Sequence, residues 1–272
     1  MAGSVGSNAE FTAAERQIAM DVPIRVASTV MLLRQANELE VLMVKRNQQI
    51  DFFSGAMVFP GGKVEPGDLD PAWPGIVRGW AEAPDEERAP RIAALRETFE
   101  ETGVLACVHG GGIPHEIARQ GRAAMEAGET TFRDFILDNG IVLDLGRLTL
   151  FARWLTPPVV SKRFDTFFYV IEMPPNQTAR HDGREAVENE WVTAREALRR
   201  AENGERLILF PTRQNLRLLS QTGSLAETIR AADARGRRQV LPRVGDRDGL
   251  RVIRLDPDDG YGDVEEVLQI QG

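Results

Sequence analysis

One cysteine, Cys107, is the whole thiol content of this 272-residue chain. No intrachain disulfide can form, and a reducing, cytoplasmic setting is expected. Cys107 itself reads as a small buried hydrophobe and not as a nucleophile. Only three histidines are present, and His181 has no partner at ligand spacing, so a zinc centre is not indicated. No run approaches the ~20 apolar residues that span a bilayer. No basic segment followed by an apolar run opens the chain, so no secretory signal is expected. Positive charge is in deficit, with 33 Lys and Arg against 41 Asp and Glu and a net charge of −8. That sets aside a general nucleic-acid binder, which needs a basic footprint. A small polyanionic substrate stays open, because a bound divalent cation reverses the local sign.

What is present centres on Arg96 to Val104, RETFEETGV. At helical spacing Glu97, Glu100 and Glu101 share one face, and Ile92, Leu95 and Phe99 take the opposite, packing face. Gly103 can end the helix in a left-handed conformation. Clustered carboxylates repel unless a cation sits among them, and oxygen-rich sets suit Mg²⁺ or Mn²⁺. The plainer alternative is a solvated helix face with Arg96 paired to Glu100 across one turn.

Upstream lies Phe59-Pro60-Gly61-Gly62, a tight glycine turn, followed by Lys63-Val64-Glu65-Pro66-Gly67-Asp68. Together the two stretches resemble the box of the Nudix hydrolases, G-x5-E-x7-R-E-U-x-E-E-x-G-U, with U aliphatic. Gly62 begins it, and Arg96, Glu97, Glu100, Glu101, Gly103 and Val104 fill its second half. There are three departures. Asp68 stands for the first glutamate, Thr98 for the first aliphatic residue, and a long insertion at about 69–91 splits the box. A second signature, R-[SA]-x3-R-x3-G-x3-F-P-G-G of the coenzyme A-directed members, is matched at Arg46, Gly55 and Phe59 to Gly62. Asn47 and Asp51 depart from it. The run Arg163-Phe164-Asp165-Thr166-Phe167-Phe168-Tyr169 (RFDTFFY) is similar to the same branch.

The resemblance implies an α/β fold of Nudix type, an α/β/α sandwich with a mixed curved sheet and helical insertions. Residues 1–20 are expected to be a mobile tail, with a short helix over 13–20. Residues 21–272 are expected to form one domain, with insertions at about 69–91 and 110–140 and a helical and hairpin extension over about 205–272. Strands are expected at 24–33 and antiparallel at 40–45, then at 56–59, 105–108, 143–155 and 162–170. The expected helices include 114–127, 131–139 and 193–203. Thr193 and Ser224 stand at capping positions with Glu196 and Glu227 three residues on, and 240–244 with 250–255 reads as a hairpin. The acidic stretch 256–263 reads as a flap or a disordered tail. Arg163 and Asp165 admit a buried pair, or Arg163 a substrate contact.

The chemistry implied is metal-assisted hydrolysis of a diphosphate linked to another moiety. A carbonyl of Gly62 with Glu97, Glu100 and Glu101 would hold Mg²⁺ or Mn²⁺. Glu97, Glu185 or Glu188 would take the water proton, and Arg96 would orient the carboxylates. Gly61 lets the backbone approach the substrate, and Arg46 and Arg163 are the candidate substrate cations. Coenzyme A or acyl-coenzyme A leads as substrate; ADP-ribose, dinucleotides and nucleotide sugars follow. A non-catalytic sensor on the same fold is the alternative from another class. A homodimer is expected from the resemblance and from the general preference for symmetric pairs, with no nucleic-acid or membrane partner.

Overall fold

In a computed structural model, residues 22–47, 54–158 and 162–268 are described. The expected tail and its helix, and Asp51, lie outside them. The first two strands, β1 (Ile24–Gln35) and β2 (Leu39–Arg46), form an antiparallel hairpin. Next come β3 (Met57–Val58), β4 (Gly61–Lys63) and β5 (Val77–Arg78). Helix α1 (Asp85–Thr102) carries the carboxylates, followed by α2 (His115–Glu126) and α3 (Phe132–Asp138). After β6 (Leu143–Asp144) come β7 (Thr149–Leu155), β8 (Arg163–Glu172) and β9 (Ala186–Thr193). The chain closes with α4 (Ala194–Glu202), α5 (Phe210–Leu219), α6 (Leu225–Arg235) and four strands. These are β10 (Gln239–Val240), β11 (Arg243–Arg247), β12 (Leu250–Arg254) and β13 (Glu265–Val267).

The main sheet runs β10-β7-β8-β1-β2-β3, with β4 also on β1 and β9 also on β2. It is mixed: β1 lies parallel to β8 and β10 parallel to β7, while β1–β2, β2–β9 and β7–β8 are antiparallel. Side chains alternate along a strand, and β1 shows what that does when both faces are covered. Val30 and Leu32 join a core with Ile92, Leu95 and Phe99 of α1. Met31 and Leu33 join another with Leu216 of α5 and Ala232 of α6. Helices therefore cover both faces of a mixed sheet, in three layers.

Helix α1 departs from the two-faced expectation. Ile92, Leu95 and Phe99 are fully buried, yet Arg96, Glu97 and Glu101 are buried too, so the acidic face is not a solvated one. Asp85, Glu86 and Glu87 occupy its first turn, where negative charge complements the helix dipole. Gly103 ends it at φ +71°, its N–H donating to Phe99 O. Thr98, the polar residue in an aliphatic slot, is fully buried and donates its hydroxyl to Ala94 O at 2.7 Å. That bond offsets the cost of taking the hydroxyl out of water.

Several expectations change. The insertion expected at 69–91 gives its last seven residues to α1; before them come short 3₁₀ turns at Pro66–Leu69 and Trp73–Gly75, and β5. Residues 105–108 form no strand, only an isolated bridge from Val108 to Leu143. The strand expected over 143–155 is broken by a turn at Leu145–Arg147. Val240 joins the main sheet, and β11–β12 gains β13 as a third strand. The 256–263 stretch is docked, not loose: Tyr261 donates to Asn215 Oδ1 at 2.7 Å and accepts from Trp154 Nε1 at 3.0 Å. Thr193 and Ser224 cap their helices, accepting from Glu196 N and Glu227 N. Glu196 pairs with Arg199 and Arg200 instead of closing a capping box.

Candidate active site

The site is built on the end of β1 that pairs with β4, with Thr29 opposite Gly61 and Ser28 opposite Gly62. Thr29 Oγ1 donates to Pro60 O at 2.7 Å and to Phe59 O at 3.1 Å, and Val30 N donates to Pro60 O. These bonds lock the turn against the strand. Gly61 has φ +154°, and a Cβ there would lie 2.2 Å from Ser28 O. A Cβ on Gly62 would lie 2.3 Å from Glu97 Oε1. Both glycines are therefore required by close approach, one to the sheet and one to a carboxylate.

Arg96 is the hub. It forks onto Asp68, Nε to Oδ1 and Nη2 to Oδ2, both at 2.9 Å. Nη1 donates to Glu97 Oε1 and Glu100 Oε2, each at 3.0 Å, and Nη2 donates to Lys63 O. Burial alone would lower its pKa, but the Asp68 bond and the surrounding carboxylates raise it above the ordinary arginine value. Asp68, almost wholly buried, also accepts from Glu65 N at 2.8 Å. The shorter acid thus ties the glycine segment to α1, and the pairing of Arg96 with Glu100 exists as one strand of this network.

Glu97, Glu101 and Glu185 each bring a carboxylate oxygen within 4.8 Å of the others. Glu101 Oε2 accepts from Gly61 N at 3.0 Å. Burial and then the charge of Glu97 push its pKa well up. Burial raises Glu97 to about 7 against the pull of Arg96, with Glu100 and Glu185 adding to the rise. Burial raises Glu100 as well, opposed by Arg96. Such a set fits a divalent cation. Hard ions take oxygen ligands at ~2.0–2.6 Å, so oxygens around one ion stand up to ~5 Å apart. The elevated pKa values mark negative charge that the protein alone leaves poorly compensated.

Of the residues expected for metal, Glu97 and Glu101 belong to this triple; Glu100 turns to Arg96, and Gly62 lies against Glu97. Glu185, 84 positions beyond Glu101 in the sequence, arrives because β9 pairs with β2. Asn47 holds it: Asn47 N donates to Glu185 O at 2.9 Å, and Asn47 Nδ2 to Arg184 O at 2.6 Å. Nothing in the local sequence announces that clamp. Glu188 does not join the triple. It sits opposite Lys45 in the β2–β9 register and pairs with Arg206 and Lys45, which lower its pKa, Arg206 first.

Glu97 and Glu185 of the triple line a cleft of about 1640 Å³. Arg46 lines it, and its buried Nε has no hydrogen-bond partner among the described residues. Arg25, Lys63, Lys162 and Arg184 line it as well; sequence reasoning passed over these cations, although the alternation of β1 places Arg25 with Ala27 and Thr29. Arg163 is not among the lining residues. It alternates with Phe164, Thr166 and Phe168, which are, and it donates to Thr156 O. Asp165 pairs with Arg153 at 2.8 Å, not with Arg163. Apolar side chains line the same cleft, among them Phe164 and Phe168 of the sheet and Leu207, Phe210 and Val267 of the C-terminal part, interspersed with Arg213, Arg217 and Glu266. Cys107 is buried and its thiol pKa is pushed up by that burial, so it takes no part.

Comparison with known proteins agrees with this geometry. The model of the NUDT19 Nudix domain matches residues 78–218, and that of the NUDIX domain matches residues 23–125. The acyl-coenzyme A diphosphatase NUDT19 of Xenopus laevis is 27% identical over 207 residues, which are 60% of this chain and 54% of that protein. Its namesake from Gallus gallus is 30% identical over 218 residues, 62% and 57% of the two chains. This chain thus spans about half the length of the curated relatives it matches. A solved Nudix hydrolase from Alicyclobacillus acidocaldarius superposes with a TM-score of 0.64 at 28% identity, over 77% of this chain and 97% of that one. A glycine turn, an arginine-centred carboxylate network and these matches lead to one conclusion: the chain belongs to the NUDT19 Nudix-domain family of the Nudix hydrolases.

Proposed function

We propose that the protein is a divalent-metal-dependent diphosphatase that cleaves the phosphoanhydride of coenzyme A or acyl-coenzyme A. The observation that carries the reading is the triple of Glu97, Glu101 and Glu185, two of which line a cleft that Arg25, Arg46, Lys63, Lys162 and Arg184 also line. Glu97, Glu101 and Glu185 would each offer one carboxylate oxygen to Mg²⁺ or Mn²⁺. The ion supplies positive charge against the diphosphate oxygens and acidifies water bound to it. Glu185, the exposed member of the triple, takes the water proton. Arg96 keeps Glu97 and Glu100 in place, and Gly61, lacking a side chain, lets the turn close onto β1 and give its N–H to Glu101 beside the bound diphosphate. Arg46, Arg25 and Lys63 bind substrate phosphates.

Two features favour coenzyme A compounds over ADP-ribose, dinucleotides and nucleotide sugars. The named relatives are acyl-coenzyme A diphosphatases, and apolar side chains such as Phe164, Phe168 and Leu207 line part of the cleft, which suits a pantetheine arm and an acyl group. A cytoplasmic location and a homodimer complete the proposal; the lone buried cysteine and the general prevalence of two-fold pairs support them.

The test is hydrolysis of coenzyme A, acetyl-coenzyme A, ADP-ribose, NADH and nucleotide sugars with Mg²⁺ or Mn²⁺. Metal-dependent turnover of the coenzyme A compounds, reduced at least ~100-fold in Glu101→Gln, is expected. Turnover of another member alone would discard the coenzyme A reading. Tight metal-independent binding without turnover would move the protein to the sensor class.

A further inference from the structure

The second insertion touches the site through one side chain. Arg122 of α2 is nearly enclosed, with 13% of its side chain exposed. Its Nε donates to Glu100 O at 2.8 Å and its Nη2 to Glu101 O at 3.1 Å. These are carbonyls in the last turn of α1, which lack intrahelical partners and carry the negative end of the helix dipole. The third arm reaches elsewhere: Nη1 donates to Arg180 O at 2.8 Å. Arg180 N returns to Thr102 O at 2.8 Å. From Arg180 the chain runs directly into the loop where Asp182 accepts from Glu185 N and Ala186 N. One guanidinium therefore spans the backbone of Glu101 and the loop that presents Glu185. Those carboxylates come from segments far apart in sequence, and their separation decides whether both can reach one ion.

We propose that Arg122 is a positioning residue that sets the distance between Glu101 and Glu185 and thereby the affinity of the triple for its cation. The inference rests on the metal-binding reading of that triple. Residues that orient metal ligands without touching the ion typically alter affinity by 10–100-fold when removed. The planar fork of arginine matters as much as its charge, because three carbonyls on two segments must be met at once.

The experiment is a titration of Mn²⁺ onto the full metal-free chain, followed by the electron paramagnetic resonance of free Mn²⁺. Wild type, Arg122→Gln, Arg122→Lys, Glu185→Gln and the Arg122→Gln/Glu185→Gln double variant are compared. Arg122→Gln is expected to raise the Mn²⁺ dissociation constant about tenfold, with Arg122→Lys between it and wild type. In the Glu185→Gln background the same change is expected to cost less than twofold, since the distance it controls no longer matters. Turnover of Arg122→Gln should recover at saturating Mn²⁺, which a general loss of structure would not allow. Unchanged affinity in Arg122→Gln, or independent effects in the double variant, would overturn the inference. If Arg122→Gln does not fold, Arg122→Lys carries the same comparison in both backgrounds. Absence of Mn²⁺ binding by wild type would instead remove the metal reading itself.

Discussion

At the residue scale the site depends on contacts with no slack. A Cβ on Gly62 would meet the Glu97 carboxylate at 2.3 Å, so Gly62→Ala is expected to cost at least ~100-fold in kcat/KM while leaving the fold intact, since displacements near 1 Å have effects of that size. Asp68 and Arg96 form a buried, bidentate pair. Asp68→Asn leaves the cation without its main partner and is expected to destabilise by about 3 kcal/mol in urea denaturation. Glu97 gives a pH signature. Its folded-state value is near 7, above the ordinary 4.5. Between those values the folded chain keeps a proton that the unfolded chain has released, so stability falls as pH rises through that window and stays lowered above it. Glu100 and Glu101 are raised too and act in the same direction. Metal-free protein is therefore expected to be less stable at pH 7.5 than at pH 5, by about 2 kcal/mol from Glu97 alone. Glu97→Gln should flatten the profile, and Mn²⁺ should restore stability at pH 7.5.

At the scale of elements, α1 works because its polar residues are satisfied while buried. Thr98→Val removes a hydroxyl already bonded within the helix and is expected to change stability by less than about 1 kcal/mol. Tyr261 is different, because its hydroxyl joins the C-terminal segment to both Asn215 and Trp154. Tyr261→Phe orphans two buried partners, and a loss of about 2 kcal/mol is expected by thermal denaturation. The contrast bears on what could be read from the sequence. The carboxylates of α1, Gly103 and the hairpin of β1 and β2 were legible because each is set by neighbours within a few residues; the glycine turn was legible as a motif, although its partners Thr29 and Glu101 lie far away in sequence. The helix caps at Thr193 and Ser224 were legible for the same reason. The role of Asp68 as the anchor of Arg96 was not, because the insertion hides the distance between them. Glu188 follows Glu185 closely in the sequence, but the β2–β9 register sends it to Lys45 and Arg206. A strand register is a long-range agreement that acidic composition does not encode.

At the scale of the whole molecule, a chain of net charge −8 gathers Arg25, Arg46, Lys63, Lys162 and Arg184 around one cleft. Attraction of a polyanion to that patch is screened over ~8–10 Å at moderate salt. For coenzyme A, kcat/KM is therefore expected to fall several-fold between ~50 and ~500 mM KCl, mainly through KM. Parallel pairing of β1 with β8 across both insertions has a consequence in time as well as in space. During synthesis β1 and β2 can fold back on each other early, but the other edge of β1 waits for β8, and Glu185 follows later still. The floor of the cleft is thus among the last parts of the sheet that a growing chain can complete. Until then an apolar strand edge stays open to any neighbour, so the hazard for this protein lies in its birth more than in its finished form.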